Sequence, residues 1–85
     1  TNTNNTIQTY TMAQVNSAYT ATKCWTAING KVYNLTAWIK EHPGGDRAIL
    51  SICGQDGSAA FQNQHGGQMR PEQILKGFEI GTLLK

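Results

Sequence analysis

The four residues His42-Pro43-Gly44-Gly45 restrict the fold of the middle of the chain more than any other feature. Proline disfavours helical geometry in the residue before it, so a helix carrying Trp38 must end at His42. The two glycines then accept backbone angles that other residues avoid. Because an apolar run follows, the sequence predicts a helix, a tight turn and a second helix, with a histidine at the junction.

Short elements with clear turn signals flank this turn. Thr11 and Gln14 have the spacing of a capping box, which starts a helix. Residues 24–35 predict a β-hairpin whose two-residue turn, Asn29-Gly30, supplies positive φ angles. We expect helix N-caps at three further residues, namely Thr36, Asp46 and Asp56.

Glycine and proline set the remaining boundaries. Gly54 ends the helix after the turn, and Gly66-Gly67 ends the next one. Pro71 suits the first turn of a further helix, and residues 78–83 predict a closing strand. The whole pattern predicts an α+β domain with a small mixed β-sheet and four to six short helices.

Length and composition set the class of protein. A chain of 85 residues forms one domain, and it buries only about 60–65% of its unfolded surface, so its core is marginal. Hydrophobic residues make up 39% of the chain and charged residues 14%, which suits a globular fold. The net charge of +2 is dispersed and too small for a nucleic-acid or lipid surface. No apolar run approaches the roughly 20 residues of a membrane span, and we expect a soluble monomer.

The first residues differ from the rest of the chain. Residues 1–6, TNTNNT, are polar and uncharged, and we interpret them as a flexible lead-in to a domain that covers residues 7–85. The sequence starts with Thr1 instead of methionine, which is consistent with a removed signal peptide or with trimming.

Two histidines, His42 and His65, each end a predicted helix, and each is followed by turn-forming residues. Glycine beside a histidine lets a flat, bulky group approach the backbone, because glycine has no Cβ. Two imidazoles that face each other across an apolar slot ligate a haem iron from both sides. The side chains suited to such a slot are Leu35, Trp38, Ile49, Phe61, Ile74 and Phe78.

Two other interpretations use the same residues. Apolar side chains at helical spacing are ordinary core residues, and glycine pairs are ordinary turns. Cys24, His42, Cys53 and His65 form the ligand set of a structural zinc site, which would stabilise a small binding module. Zinc modules usually place two ligands about two to five residues apart, and no pair here has that spacing.

Two segments of the chain resemble the cytochrome b5 family. Residues 25–50, WTAINGKVYNLTAWIKEHPGGDRAIL, are similar to the family's hairpin of the form GKVYxxT followed by a helix and His-Pro-Gly-Gly. Residues 53–65, CGQDGSAAFQNQH, are similar to the segment that ends at the family's second histidine, which lies 23 positions after the first. With the closing FEIGTL, the resemblance covers residues 7–84.

The resemblance implies a non-covalently bound haem b with His42 and His65 as its two axial ligands. The six apolar side chains named above match the family's pocket lining. Gly44 and Gly45 match the glycines of the haem-binding turn, which Pro43 makes rigid. No C-x-x-C-H segment is present for covalent attachment. We expect each ligating ring to donate its other N–H to a backbone carbonyl.

An iron with two protein ligands has no vacant position for oxygen or substrate. The resemblance therefore implies a one-electron carrier and not an enzyme. A reductase and an acceptor protein would dock weakly at an exposed haem edge. Two alternatives remain open: a relay module cut from a larger redox enzyme, and a haem sensor with one weak axial ligand.

Several positions depart from the family pattern. Gly66 follows the second histidine where a hydroxyl residue is common and can bond a haem propionate, so here a backbone amide would replace it or the propionate would face water. Asn34 stands where Asp is frequent, and the segment from Phe61 to His65 is one residue shorter than in many members. The charged residues between positions 40 and 72 give a net charge of −1, which is too small to steer a basic cytochrome c partner.

Cys24 and Cys53 are absent from many family members, and the family fold would bring their positions together. A disulfide that closes this loop of roughly 30 residues contributes on the order of 3–4 kcal/mol in the loop-entropy model. The alternative is two buried, unreactive thiols. Since a bridge implies an oxidising compartment, we expect an exported, periplasmic protein; without the bridge, the domain is cytoplasmic.

Overall fold

The computed structural model describes residues 8–42, 45–65 and 69–84, without the side chains of residues 64, 65 and 69–72. The strands of this part of the chain are β1 (Thr9–Tyr10), β2 (Tyr19–Thr20), β3 (Lys23–Ile28), β4 (Lys31–Asn34), β5 (Gln55–Asp56) and β6 (Glu79–Leu83). Its helices are α1 (Met12–Asn16), a 3-10 helix (Thr36–Trp38), α2 (Asp46–Leu50), α3 (Ser58–His65) and α4 (Met69–Lys76). The predicted α+β class and the mixed sheet are confirmed.

One mixed sheet organises the domain. Its strand order is β1-β6-β4-β3-β2, and β5 pairs with β3 beyond the two residues that pair with β2. The β1–β6 and β3–β5 pairs are parallel, and the other pairs are antiparallel. Strand β3 therefore bonds to the segment before the turn at residues 42–45, through β4, and to the segment after it, through β5.

The hairpin between β3 and β4 turns at Asn29-Gly30, as the sequence predicted. The φ angles of these two residues are +51° and +83°, the left-handed values that a two-residue hairpin turn requires. The register pairs Ala27 with Val32 and Ile28 with Lys31. The hairpin thus directs β4 into the 3-10 helix that carries Trp38.

One predicted helix start is confirmed, at α1, and at α3 the predicted Asp56 bonds to the first helical amide from one position before Gly57, whose carbonyl accepts the first helical bond. At α1, the Thr11 N–H donates to Gln14 Oε1 at 2.7 Å, and the Gln14 N–H donates to Thr11 Oγ1 at 3.2 Å, which completes the capping box. At α3, the Ser58 N–H donates to Asp56 Oδ1 at 2.9 Å. The polar side chains at both starts satisfy amides that have no partner inside the helix.

The expected N-caps at Thr36 and Asp46 are wrong. The 3-10 helix begins at Thr36 itself, after an N-cap at Leu35. Helix α2 begins at Asp46, and its N-cap is Gly45, whose φ of +97° favours glycine. Helix α2 also ends at Leu50, short of the predicted Gly54, because residues 51–54 form turns. The predicted helix end at Gly66-Gly67 lies outside the described residues.

One apolar cluster combines residues of β3 and β4 with residues before and after the turn at 42–45. We call it the central cluster. Its buried members are Cys24, Ile28, Tyr33, Leu35, Ile39, Ile49 and Cys53, and the half-buried side chains packed against it are Trp38, Ile52, Phe61, Leu75 and Phe78. Other buried residues, among them Val15, Ala18 and Val32, lie outside this cluster. Among the described helices, none is long and apolar enough to cross a membrane.

Candidate functional site

His42 is half-buried and directly follows the turns at residues 39–41, which come after the 3-10 helix. The backbone fixes the orientation of its ring. Its Nδ1 atom lies 2.9 Å from the carbonyl oxygen of Gly45. Because a carbonyl only accepts hydrogen bonds, Nδ1 carries the proton in this contact, and the neutral ring keeps a lone pair on Nε2. A lone pair on one nitrogen, with the other held by a carbonyl, is the arrangement of a metal-ligating histidine.

Aromatic rings support His42 from the side of the 3-10 helix. The Trp38 ring meets the His42 ring edge to face, with centroids 6.0 Å apart and planes at 80°. On its other side, Trp38 lies 5.7 Å from Phe78, which follows helix α4. Such pairs restrict ring rotation beyond what apolar burial alone achieves. Trp38 therefore links the His42 ring to the central cluster.

His65 is the last residue of α3, and its side chain lies outside the described part of the structure. Position 61, four residues earlier, shares a helix face with position 65. Phe61 packs against the central cluster, so this face of α3 turns toward the cluster that also contacts Trp38. The position of residue 65 on this helix face is thus compatible with the expected role of His65 as a haem ligand.

Most of the predicted pocket lining comes together. Leu35, Trp38, Ile49, Phe61 and Phe78 all belong to the central cluster. Ile74 is half-buried, and the cluster takes Leu75 from helix α4 in its place. Pro43, Gly44 and Gly66 lie outside the described residues. Gly45 supplies the backbone carbonyl that was expected to bond to the His42 ring, and the sequence did not indicate which residue would supply it.

Ile52 and Leu75 are cluster members that the sequence reasoning missed. Helix α4 has apolar residues at two adjacent positions, 74 and 75, and sequence alone does not select the one that turns inward. Ile52 lay inside the predicted helix, but in the structure it lies in a turn after α2. Its spacing of three residues from Ile49 was the available signal for Ile52.

The structure contains a disulfide between Cys24 on β3 and Cys53 after α2. Both residues are almost fully buried, and their Cα atoms are 4.8 Å apart. A bridged sulfur is not a thiolate, so these two residues do not form the thiolate pair of a Cys2His2 zinc site. Within the described residues, no group of three or more His, Cys, Asp or Glu side chains is placed to hold a metal ion.

The charges around the turn nearly cancel. Lys40, Glu41, Asp46 and Arg47 are all exposed, and they comprise two positive and two negative side chains. Asp56, which precedes α3, has a shifted pKa. Hydrogen bonds from the side chain and backbone of Ser58 hold the pKa of Asp56 below its ordinary value. The described surface beside His42 has no strong field of either sign.

The residues present fit a haem. His42 offers an oriented Nε2 lone pair, and next to it lies an apolar cluster with two aromatic rings, Trp38 and Phe78, which a flat macrocycle can contact. This combination is typical of a small haem-binding domain.

Comparison with known proteins identifies the family. Residues 11–84 match the model of the cytochrome b5-like haem/steroid binding domain, and the chain belongs to this family. Its fold is the cytochrome b5-like fold, as the sequence predicted. Domains of this family bind haem b non-covalently, and the family includes electron carriers.

Three relatives illustrate its range. The chain is 35% identical over 81 residues to soluble cytochrome b558 of Ectothiorhodospira shaposhnikovii, covering 92% of this chain and 89% of that protein. The solved structure of Ectothiorhodospira vacuolata cytochrome b558 superposes with a TM-score of 0.81 at 34% identity, covering 92% of this chain and all of that one. The chain is also 37% identical over 74 residues to Delta(5) fatty acid desaturase A of Dictyostelium discoideum, covering 87% of this chain. It spans only 16% of the length of that desaturase.

Proposed function

We propose that this domain is a one-electron carrier whose haem b is ligated on its two faces by His42 and His65. The observation that supports it most directly is the 2.9 Å contact between His42 Nδ1 and the Gly45 carbonyl, which leaves Nε2 as the donor atom. The position of His65 at the end of α3, on the face that carries Phe61, supports the second ligand.

The chain's own residues would adapt the cofactor to electron transfer. A bound haem supplies the one-electron couple of its iron. Two histidine ligands would leave no axial position for oxygen or peroxide, which favours a carrier over an enzyme. The Gly45 carbonyl would hold the His42 ring in its ligating orientation by accepting a hydrogen bond from Nδ1–H. Trp38, Phe78 and their neighbours in the central cluster would exclude water from the haem faces.

The visible spectrum of the haem-loaded protein tests the ligand pair. We expect a sharp Soret band that shifts on reduction with dithionite, together with resolved α and β bands of a low-spin, six-coordinate iron. His42→Ala and His65→Ala should each abolish this low-spin spectrum and weaken haem retention. Gln62→Ala, an exposed change on the same helix as His65, is the matched control and should leave the spectrum unchanged. A wild-type spectrum in either histidine variant would overturn the assignment of that ligand.

We further propose that redox partners, a reductase and an acceptor, dock weakly at the haem edge of a monomer. The two positive and two negative side chains around the turn support weak electrostatic steering. Association rates with such partners should therefore change little between low and moderate ionic strength. A steep fall of the rate with added salt would contradict this docking model.

The Cys24–Cys53 bridge supports an oxidising location, and we propose export to a compartment such as a periplasm. The burial of both cysteines protects a bridge once it has formed. Thiol counting by mass spectrometry, under native and non-reducing conditions, should find no free thiol in the protein from its source. Two free thiols would refute both the bridge and the location.

A relay module within a larger redox enzyme is the second candidate function. It is favoured by the match to a desaturase of which the aligned region is only a small part. The mass of the protein isolated from its source separates the two, since a relay would appear in a far longer chain. A haem sensor with one weak axial ligand is a third hypothesis. Binding of carbon monoxide to the reduced protein would favour the sensor over a bis-histidine carrier.

A further inference from the structure

The disulfide joins the segment that leads out of the His42 turn to strand β3, which also holds the segment that leads into the turn. We call these segments the flanks of His42: residues 35–42 on one side and residues 45–53 on the other. Cys53 ends the second flank, and its bridge attaches it to Cys24 in the middle of the sheet.

The backbone of Cys24 holds the first flank at the same place. Its N–H donates to Thr36 Oγ1 at 2.9 Å, and its carbonyl accepts from the Leu35 N–H at 2.7 Å. One residue of β3 thus fixes the start of the first flank by hydrogen bonds and the end of the second flank by a covalent bond.

Both flanks also contact the His42 ring. Trp38 of the first flank lies edge to face against the His42 ring, and the Gly45 carbonyl of the second flank accepts from His42 Nδ1. Between Gly45 and Cys53, helix α2 and its following turns place the buried Ile49 in the central cluster. The position of the His42 ring therefore depends on both flanks, and the bridge restrains the second one.

The second flank has another anchor beyond the bridge. The Gly54 N–H donates to the Trp25 carbonyl at 2.6 Å, and β5 continues into parallel pairing with β3. Because this pairing does not need the disulfide, loss of the bridge should loosen residues 45–53 while the sheet remains formed. This loosening should first change the orientation of the His42 ring and the packing of Ile49.

We infer that the Cys24–Cys53 bridge and haem binding are thermodynamically coupled, so that the bridge acts as a haem-retention device. This inference rests on the function proposed above. A dithiol reductant supplies two electrons and two protons, which convert the bridge into two cysteine thiols while the dithiol closes into its own disulfide. Reduction frees the second flank, and the protein then holds haem less tightly.

Linkage sets the size and the symmetry of the effect. Couplings between two sites in a protein typically change affinity by about 5- to 150-fold, and the change is the same in both directions. Loss of the bridge should thus weaken haem affinity by at least about 5-fold. Haem binding should in turn make the bridge harder to reduce, by about 30 mV for each tenfold of coupling in a two-electron couple.

The first experiment measures the rate of haem transfer from the ferric protein to an excess of apomyoglobin. It compares the wild type with Cys24→Ala/Cys53→Ala and with Val15→Ala, a cavity-forming control at a fully buried residue outside the central cluster. The double cysteine variant should lose haem at least about 5-fold faster than the wild type. Val15→Ala should lower thermal stability without a comparable change in haem loss.

The outcomes separate the coupling from the proposed function. A wild-type protein that takes up no haem would overturn the proposed function, and the inference with it. Haem uptake followed by equal loss rates in the double cysteine variant and in Val15→Ala would overturn the coupling alone.

A second measurement needs no substitution and so does not depend on whether the variant folds. The wild-type bridge is equilibrated with a series of dithiothreitol redox buffers, with and without bound haem, and the thiols are counted. A lower midpoint potential for the bridge in the haem-bound form supports the coupling. Identical midpoints with and without haem would overturn it.

Discussion

Replacing Gly54 with alanine should destabilise the domain far more than the same replacement at Gly30. Both glycines have left-handed φ angles, +76° and +83°, so alanine at either position costs roughly 1–2 kcal/mol of backbone strain. Their surroundings differ. Nothing lies within 4 Å of a Cβ placed on Gly30, whereas a Cβ on Gly54 would lie 2.5 Å from Tyr19 Cβ and 3.1 Å from Tyr19 Cα.

The clash at Gly54 adds a second cost to the strain. The atoms it would meet include the backbone of Tyr19 and the Asn16 carbonyl oxygen, at 3.3 Å, and these cannot rotate away as a side-chain end can. Overpacking of this kind typically costs about 1–3 kcal/mol. Each kcal/mol corresponds to about 4–8 °C in the melting temperature of a domain of this size. Gly54→Ala should therefore melt at least about 4 °C below Gly30→Ala.

Thermal unfolding of the two haem-loaded variants, followed by far-UV circular dichroism with the same excess of haem, measures this difference. Gly30→Ala reports the strain alone, so the difference between the variants reports the contact between the turn after α2 and strand β2. Equal melting temperatures would refute the close approach of Gly54 to Tyr19.

Three further predictions concern single side chains near the site. Trp38→Leu removes two ring pairs worth about 0.5–1.5 kcal/mol each, one of them with His42, and should speed haem loss; an unchanged rate would contradict the support role of Trp38. Asp56→Ala should lower the free energy of unfolding by about 1 kcal/mol at neutral pH. Because the folded-state pKa of Asp56 is lowered from 3.8, this stabilisation is present above that value and is lost as the pH falls through the folded pKa, so urea titrations of the two proteins should converge in acid. Thr36→Val leaves a part-buried β3 N–H without its acceptor and should cost about 1–3 kcal/mol, whereas the exposed Thr20→Val should cost less than half as much by the same titration.

Local signals in the sequence predicted those elements whose partners are close in the chain. The capping box joins Thr11 to Gln14, three residues apart, and the Asn29-Gly30 turn joins adjacent strands. In both cases the residue types alone determine the backbone geometry, because the hydrogen bonds or φ angles involve only neighbouring residues. The helix that was predicted to end at His42 is shorter, since it is a 3-10 helix that ends at Trp38 and is followed by turns at residues 39–41.

Elements that depend on distant partners were not predictable in this way. Strand β5 has two residues, and it is a strand only because β3 lies beside it. Thr36 looked like a cap, but its hydroxyl accepts from Cys24, twelve residues away in the chain, across the sheet. The Asp46 prediction failed because Gly45 already provides the N-cap conformation.

The same distinction between local signals and distant partners applies to the candidate site. The family resemblance indicated Leu35, Trp38, Ile49, Phe61 and Phe78, and all five lie in the central cluster. Leu75 of α4 also packs against the central cluster, while the predicted Ile74 is half-buried, because the orientation of that helix depends on packing that the sequence does not encode locally. The role of Gly45 as an acceptor is a backbone property, which no residue type reveals.

The parallel pair formed by β1 and β6 also determines how this domain can be joined to other chains. Gln8 and Thr82 are hydrogen-bonded neighbours, since the Thr82 N–H donates to the Gln8 carbonyl at 2.9 Å. Residue 84 directly follows β6 and lies only two residues beyond Thr82, within about 10 Å at the rise of a strand. A polypeptide that leads into residue 8 and one that leaves residue 84 would therefore meet the domain at one edge of the sheet. The domain could be inserted into a host protein through two adjacent connections, or be circularly permuted through a short linker, with little change to its interior.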